Sequence, residues 1–353
     1  MKAFFIVLGV FILAFSILIL LTHWIMKKRF YRGSYPKGAT AERFYKDFSA
    51  RYPRRSITFY SGKNRLQGYI YGEGNTQGLV VFAHGIAVGH ETYIKELLWL
   101  VDQGWCVLAY DATGSCESEG DGTGGLVQSA LDLHAALSWV EKAETLKKLP
   151  VCLMGHSWGG YAVAAVLAFG HDVKASASIA GYSDPLHMIA EFARSNMGKA
   201  TCLLLPFVWL WLRMRHGRLG ALTAVKGIES GDVPVLLVHG TEDELVTLDT
   251  VSIVREANAL KNPNVQLLLM DAKGQNGHGS IFRHAESIDY IEEVEAALKM
   301  LKETCKDAIT QEELARFFEN VDKDLYNKPN EALLLQIHKF FLSGISNQTS
   351  AGA

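Results

Sequence analysis

Val151-Cys152-Leu153-Met154-Gly155-His156-Ser157-Trp158-Gly159-Gly160 is the stretch on which the architecture turns. Four apolar residues that read as a buried strand run straight into Gly-x-Ser-x-Gly, and a helix-forming run follows. That order predicts a sharp strand-to-helix turn that holds Ser157 strained, with its hydroxyl exposed. A Cβ at Gly155 or Gly159 would collide across so tight a turn. The bare side of Gly160 lets a helix starting near Trp158 lie close against the strand. Because Gly and Ser are common, the pentapeptide alone is weak, and its surroundings carry the argument.

On either side the hydrophobic period changes repeatedly. Ile57–Tyr60 and Leu66–Tyr71 read as a hairpin turning at 61–64. Apolar runs follow at Leu79–Ala83 and Cys106–Tyr110, and further expected strands at Ala175–Ala180, Val233–Val238 and Val265–Met270. Helical patterns lie between them, over Glu91–Gln103, about Leu126 to Ala143, and around Leu248–Leu260. Strands apolar on both faces that alternate with helices predict an α/β protein, a mostly parallel sheet covered by helices. Residues 185–230 interrupt the alternation, which is the position of a lid, and contain an aromatic-rich run, Cys202–Leu212, broken at Pro206. Thr310-Gln311-Glu312-Glu313 is a capping-box pattern. Glu331–Ser343 resembles a closing helix, and residues 346–353 are expected to fray.

Three loops after expected strands line up with Ser157. Leu79–Ala83 ends in His84-Gly85-Ile86, where Gly85 lets the backbone turn the Ile86 N–H toward a substrate oxygen. With the Trp158 N–H it would form an oxyanion hole, donors aimed at charge that develops in the transition state. A second strand ends in His239-Gly240-Thr241-Glu242-Asp243, a carboxylate able to orient an imidazole. A third leads into Gln275-Asn276-Gly277-His278-Gly279, whose glycines free His278 to reach over the sheet. A hydroxyl needs a base, and the base needs a group that fixes its tautomer; Ser157, His278 and Asp243 supply the set. Asp184 is the alternative acid, should Asp243 only cap a helix, and His284 the alternative base. His84, His156 and His239 read as loop-shaping groups.

These residues resemble the α/β-hydrolase family over roughly 56–345, in which the order along the chain is nucleophile, acid, histidine. The resemblance implies an α/β-hydrolase fold, with Asp111-Ala112-Thr113-Gly114 as the site-lining loop after the fourth strand. His-Gly-Ile at 84–86 and Gly-His-Ser-Trp-Gly-Gly at 155–160 are similar to the monoacylglycerol lipase and serine aminopeptidase-like branch, most of all to its membrane-anchored bacterial members. That branch carries a lid where 185–230 falls.

The N-terminus stands apart. Ala3 to Leu21 carries no charge and the run stays largely apolar to Met26, where Lys27-Lys28-Arg29 stops it. At ~1.5 Å per residue that length covers a bilayer core of ~30 Å. A cleaved signal peptide would have a shorter apolar region and a small-x-small site, absent from 22–26. Residues 1–28 are therefore expected to be a single transmembrane anchor. Lys2 on one flank faces Lys27, Lys28, Arg29 and Arg32 on the other, which puts the catalytic domain in the cytoplasm. Residues 29–55 read as a basic juxtamembrane linker, with a short helix over 39–50.

The whole chain has 353 residues, 49% hydrophobic and 20% charged, with a formal charge of -2, which gives no reason to expect a nucleic-acid partner. Five widely spaced cysteines show no metal spacing, and His90-Glu91 lacks the second histidine of a zinc-protease motif. No metal or cofactor is expected. The reading is a membrane-anchored serine hydrolase of carboxylic esters, a small-molecule acyl ester or membrane lipid, with Phe207, Trp209 and Trp211 lining an acyl pocket. An aminopeptidase would need acids to bind a free amine, and the lid's acids, Asp184, Glu191, Glu229 and Asp232, lie mostly at its edges. A catalytically inactive binding protein on this scaffold is the alternative from another class.

Overall fold

The computed structural model describes residues 1–198, 201–305 and 309–351. From the N-terminus come helix α1 (Lys2–Arg29), the hairpin of β1 (Arg54–Ser61) and β2 (Asn64–Tyr71), then β3 (Leu79–Ala83), α2 (Ile94–Asp102), β4 (Cys106–Tyr110) and α3 (Gln128–Val140). The elbow pair β5 (Val151–His156) and α4 (Trp158–Ala165) follows, then β6 (Val173–Ile179). Inserted helices α5 (Pro185–Met197), α6 (Thr201–His216) and α7 (Ala224–Ile228) precede β7 (Val235–Gly240) and β8 (Val265–Met270). Last are α8 (Ala285–Thr304), α9 (Gln311–Glu319), α10 (Lys323–Tyr326) and α11 (Glu331–Ala351).

The eight strands form one sheet in the order β1-β2-β4-β3-β5-β6-β7-β8. Strand β2 is antiparallel to both neighbours, and all pairs from β4 to β8 are parallel. Strict alternation along the strands builds two cores. Leu79, Val81 and Ala83 of β3 join α3, α4 and α7 on one face, while Val80 and Phe82 join α2 and α11 on the other. After β3 the chain passes to α2 on one face; after β5 it passes to α4 on the opposite face. The loops leaving these adjacent strands thus part at their carboxyl ends. Such a switch point is where open α/β sheets bind their ligands.

Several expectations need correction. Over 39–50 only a single 3-10 turn forms, Tyr45–Asp47, because tertiary partners take the backbone groups a helix would use. The Arg43 N–H donates to Asn327 Oδ1 (3.3 Å), the Tyr45 N–H to Glu91 Oε2 (3.0 Å), and the Ala41 carbonyl accepts from Asn327. Residues 29–55, expected as a basic linker, pack on the catalytic domain, and several of their charges are paired within it. Arg54 bonds Glu91 at 2.7 Å between the rings of Tyr45 and Tyr69, Arg55 pairs with Glu73, and Arg43 with Asp324. Around 248–260 the helix shrinks to a 3-10 segment, Val254–Ala259. Here the Ile253 N–H and Val251 carbonyl are committed to Gly181 and Ser183. Helix α6 runs on through Pro206, its sixth residue, and gives up there the hydrogen bond that a backbone N–H would make to the Cys202 carbonyl. Helix α11 continues through the segment expected to fray, as far as Ala351; residues 352–353 lie outside the described ones.

Helix α1 is long and apolar enough to cross a bilayer, and only Thr22 and Met26 on it are buried. It packs along α6 of the insertion, with Phe15 against Phe207 (5.5 Å between ring centroids) and Phe30 stacked on Trp211.

Candidate active site

Ser157 adopts φ 56°, ψ −111° between β5 and α4. A side chain holds such angles only when its surroundings enforce them, and close packing does so here. A Cβ built on Gly159 would overlap the Ala83 carbonyl of β3, and one on Gly160 would lie 2.6 Å from the Ile179 carbonyl of β6. The elbow is therefore wedged between the two strands that flank β5. Trp158 is the first residue of α4, so its N–H lies outside the helix's own ladder and is open to another partner. Its indole anchors the turn from the other side by donating to the Leu126 carbonyl at 2.8 Å.

His84-Gly85-Ile86 lies beside the elbow: a Cβ on Gly85 would stand 3.7 Å from Ser157 Cβ. Beyond Ile86 the loop is kinked by Ala87, whose φ is 65°. His84 accepts from the Ala112 N–H at 2.9 Å and donates to the Gly85 carbonyl, tying the loop to the one after β4. Burial pushes its pKa down, so it serves as a neutral brace.

The loops after β7 and β8 bring Asp243 and His278 together. His278 Nδ1 lies 2.8 and 3.0 Å from the two Asp243 oxygens, so this nitrogen carries the proton and Nε2 presents a lone pair. Asp243 also accepts from the Leu245 and Val246 N–H groups. Its burial alone would raise its pKa, but the His278 hydrogen bond and the Val246 N–H hold it below the ordinary carboxylate value. Among the described residues no hydrogen bond joins the Ser157 hydroxyl to His278, a link that in many enzymes tightens only with substrate. The two are nevertheless neighbours through His156, whose ring centroid is 4.7 Å from that of His278.

His156 shows a feature with no local signature in the sequence. Its Nε2–H donates to the His278 carbonyl (3.0 Å), and its Nδ1 accepts from the Tyr93 hydroxyl (2.8 Å). Tyr93 in turn accepts from the Gly85 N–H. One chain of hydrogen bonds thus runs from the loop holding Ile86, past the elbow, to the loop holding His278. Burial, chiefly, drives the His156 pKa down to about 3, so the chain keeps one proton arrangement at neutral pH.

The remaining candidates have other places. His239 donates to the Val246 carbonyl and shapes the Asp243 turn. Asp184 caps α5, accepting from the Leu186 and His187 N–H groups, and His284 caps α8. Asp111 is fully buried and bonds His90, Tyr35 and the Glu117 N–H. Burial opposes its charge, but His90 outweighs that and holds its pKa near about 2. It acts as a knot between loops. Phe207 and Trp211 face the N-terminal helix and the residue after it, Trp211 also packs beside Gly125 at the edge of the core, and Trp209 is half-exposed beside Arg213. A cavity of about 960 Å³ lies on the hairpin and α3 face, away from Ser157.

The family model described as serine aminopeptidase, S33, matches residues 74–219, which include the elbow and the His84 loop. Among solved structures, an esterase from Pyrococcus furiosus is similar in two crystal forms. Both are 22% identical; one covers 77% of this chain and 98% of its own with a TM-score of 0.52, the other 70% and 90% with 0.51. That likeness shows the fold. A comparison with curated protein sequences finds no match. With its sheet and its elbow the chain has the α/β-hydrolase fold, and over residues 74–219 it is similar to the serine aminopeptidase, S33, family, which supports a serine hydrolase.

Proposed function

We propose that this serine hydrolase cleaves carboxylic esters with apolar acyl groups, lipid-derived ones in particular, at a membrane surface. Ser157 Oγ attacks the acyl carbon as its proton passes to His278 Nε2, and Asp243 steadies the imidazolium. The Ile86 and Trp158 N–H groups hold the oxyanion. Collapse expels the alcohol, which takes the proton from His278, and leaves an acyl-Ser157 that water hydrolyses by the same steps in reverse order. The observation that carries this reading is the His278–Asp243 pair at 2.8 Å beside a serine held at φ 56°.

The membrane part rests on α1 and the insertion. Phe15, which meets Phe207, lies half-way along α1, so if that helix spans the bilayer the apolar side of α6 enters lipid with it. The basic flank at Lys27, Lys28 and Arg29 supports a catalytic domain on the cytoplasmic side of such an anchor. The P. furiosus protein of this fold is described as an esterase, which agrees with an ester substrate.

The test is a series of alkanoyl esters and aminoacyl amides offered to the full chain in mixed micelles. Each acyl methylene that enters an apolar site contributes ~0.8 kcal/mol, so kcat/KM should rise severalfold over a few carbons before levelling off. A flat ester series with faster turnover of aminoacyl amides would replace this substrate class with an aminopeptidase.

A further inference from the structure

We infer that residues 30–35, between the apolar helix and the catalytic domain, form a strap that holds the oxyanion loop in shape, with Gly33 and Tyr35 as positioning residues. The inference rests on the role proposed above for Ile86.

Residues 85–89 lie between two layers. On one side Gly85 faces the elbow, where a Cβ would stand 3.6 Å from His156 Nδ1 and 3.7 Å from Ser157 Cβ. On the other side Gly33 presses against Ala87, the residue after Ile86: a Cβ on Gly33 would fall 2.7, 2.8 and 2.9 Å from the Ala87 C, O and Cα atoms. Two residues on, a Cβ on Gly89 would run into the Tyr35 hydroxyl and Cys116 Sγ. Ala87 sits at φ 65°, a conformation an alanine does not keep unaided. The strap is the layer that backs it.

The strap is itself tightly bonded. The Gly33 N–H donates to the Gly114 carbonyl (2.9 Å), and the Gly33 carbonyl accepts from the Cys116 N–H (3.0 Å). Phe30 accepts from the Thr123 N–H, and the Arg32 guanidinium donates to the Gly120 and Cys116 carbonyls. The Tyr35 O–H donates to Asp111 Oδ1 (3.1 Å) while accepting the Glu91 N–H (3.1 Å). Asp111 also holds the His90 N–H and ring. The Ala87–Glu91 side of the loop is therefore packed on the strap or bonded to it and its partner Asp111, while the Gly85 end rests on the elbow. Displacing that backing turns the Ile86 N–H away from charge that exists only in the transition state, so kcat falls while KM stays.

The test uses the full chain in detergent, with Gly33→Ala, Gly33→Val and Tyr35→Phe beside Ser157→Ala and the distant Arg51→Gln. Ester turnover, KM, affinity for an alkyl trifluoromethyl ketone (which forms an oxyanion on the serine) and affinity for the matching fatty acid are measured. Gly33→Ala should lower kcat about 10-fold and Gly33→Val about 100-fold, Tyr35→Phe should fall between wild type and Gly33→Ala, and KM should stay within about 3-fold. Ketone affinity should fall in step with kcat and fatty-acid affinity should not. Tyr35→Phe, nearly isosteric, keeps the test open if the Gly33 variants do not fold. Wild-type kcat in Tyr35→Phe and Gly33→Ala, with Ser157→Ala inactive, overturns the strap and leaves the Ser157 assignment standing. Equal losses of ketone and fatty-acid affinity make the strap merely structural and also overturn it. Turnover that survives in Ser157→Ala overturns both.

Discussion

Asp243 is buried yet ionised, because the His278 N–H and a backbone N–H outweigh the cost of burial. Asp243→Asn should therefore lower kcat about 10⁴-fold, by removing the charge and disturbing the His278 tautomer. Asp184→Asn, which can still cap α5, should stay within a few-fold of wild type; steady-state turnover of both variants checks this. His156 carries a pH prediction. Its pKa falls from an unfolded value near 6.5 to about 3, so between those values the unfolded chain binds the extra proton and acid favours unfolding. Stability is present above pH ~6.5 and is lost as pH falls toward 3. Each step of one in pH below 6.5 costs about 1.4 kcal/mol. Chemical denaturation at pH 7 and pH 4.5 should therefore show a drop about 3 kcal/mol smaller in His156→Gln than in wild type. Ser157, Asp243 and His278 stand out in the sequence because each follows a strand and lies within three residues of a glycine, a local signal. Tyr93 does not, since its partners Gly85 and His156 meet it only through the folded sheet.

At the scale of elements, the elbow depends on how closely α4 and β5 pack between their neighbours. Gly159→Ala places a methyl group on the Ala83 carbonyl. This variant should give no soluble folded protein, seen as loss of the cooperative thermal transition; a normal melting curve would mean that the elbow yields more than its packing implies. Asp184→Ala should cost about 1 kcal/mol through loss of the α5 cap, measured by denaturation, with little change in turnover. The buried strands were legible because β3, β4, β5 and β7 are largely apolar on both faces, whereas β6 alternates with Lys174, Ser176 and Ser178. The segments 39–50 and 248–260 have helical composition but not helical structure, because Asn327, Glu91, Gly181 and Ser183, distant in sequence, take their backbone groups. No local pattern contains that information. The aromatic run of α6 was legible as apolar, but its main neighbour, α1, was not.

Across the whole molecule, one sheet presents the loops after β3, β5, β7 and β8 at a single edge, while α1 joins the insertion. If α1 spans the membrane with its basic flank inside, carbonate extraction should leave the full chain in the membrane fraction. Protease added outside intact cells should then leave residues 30–353 uncut; digestion there would reverse the orientation. The alternation of strands and helices gave the sheet and the break at 185–230 gave the place of an insertion, whereas the packing of residues 29–55 into the body was hidden by their basic composition. Everything proposed for this chain depends on a covalent acyl intermediate at one serine. The direct measurement is to react the full chain with a fluorophosphonate and map the adduct by peptide mass spectrometry, with Ser157→Ala alongside. The account predicts one adduct, on Ser157, and none in a variant that retains its melting transition. An adduct on another residue, or labelling that persists in folded Ser157→Ala, would contradict it.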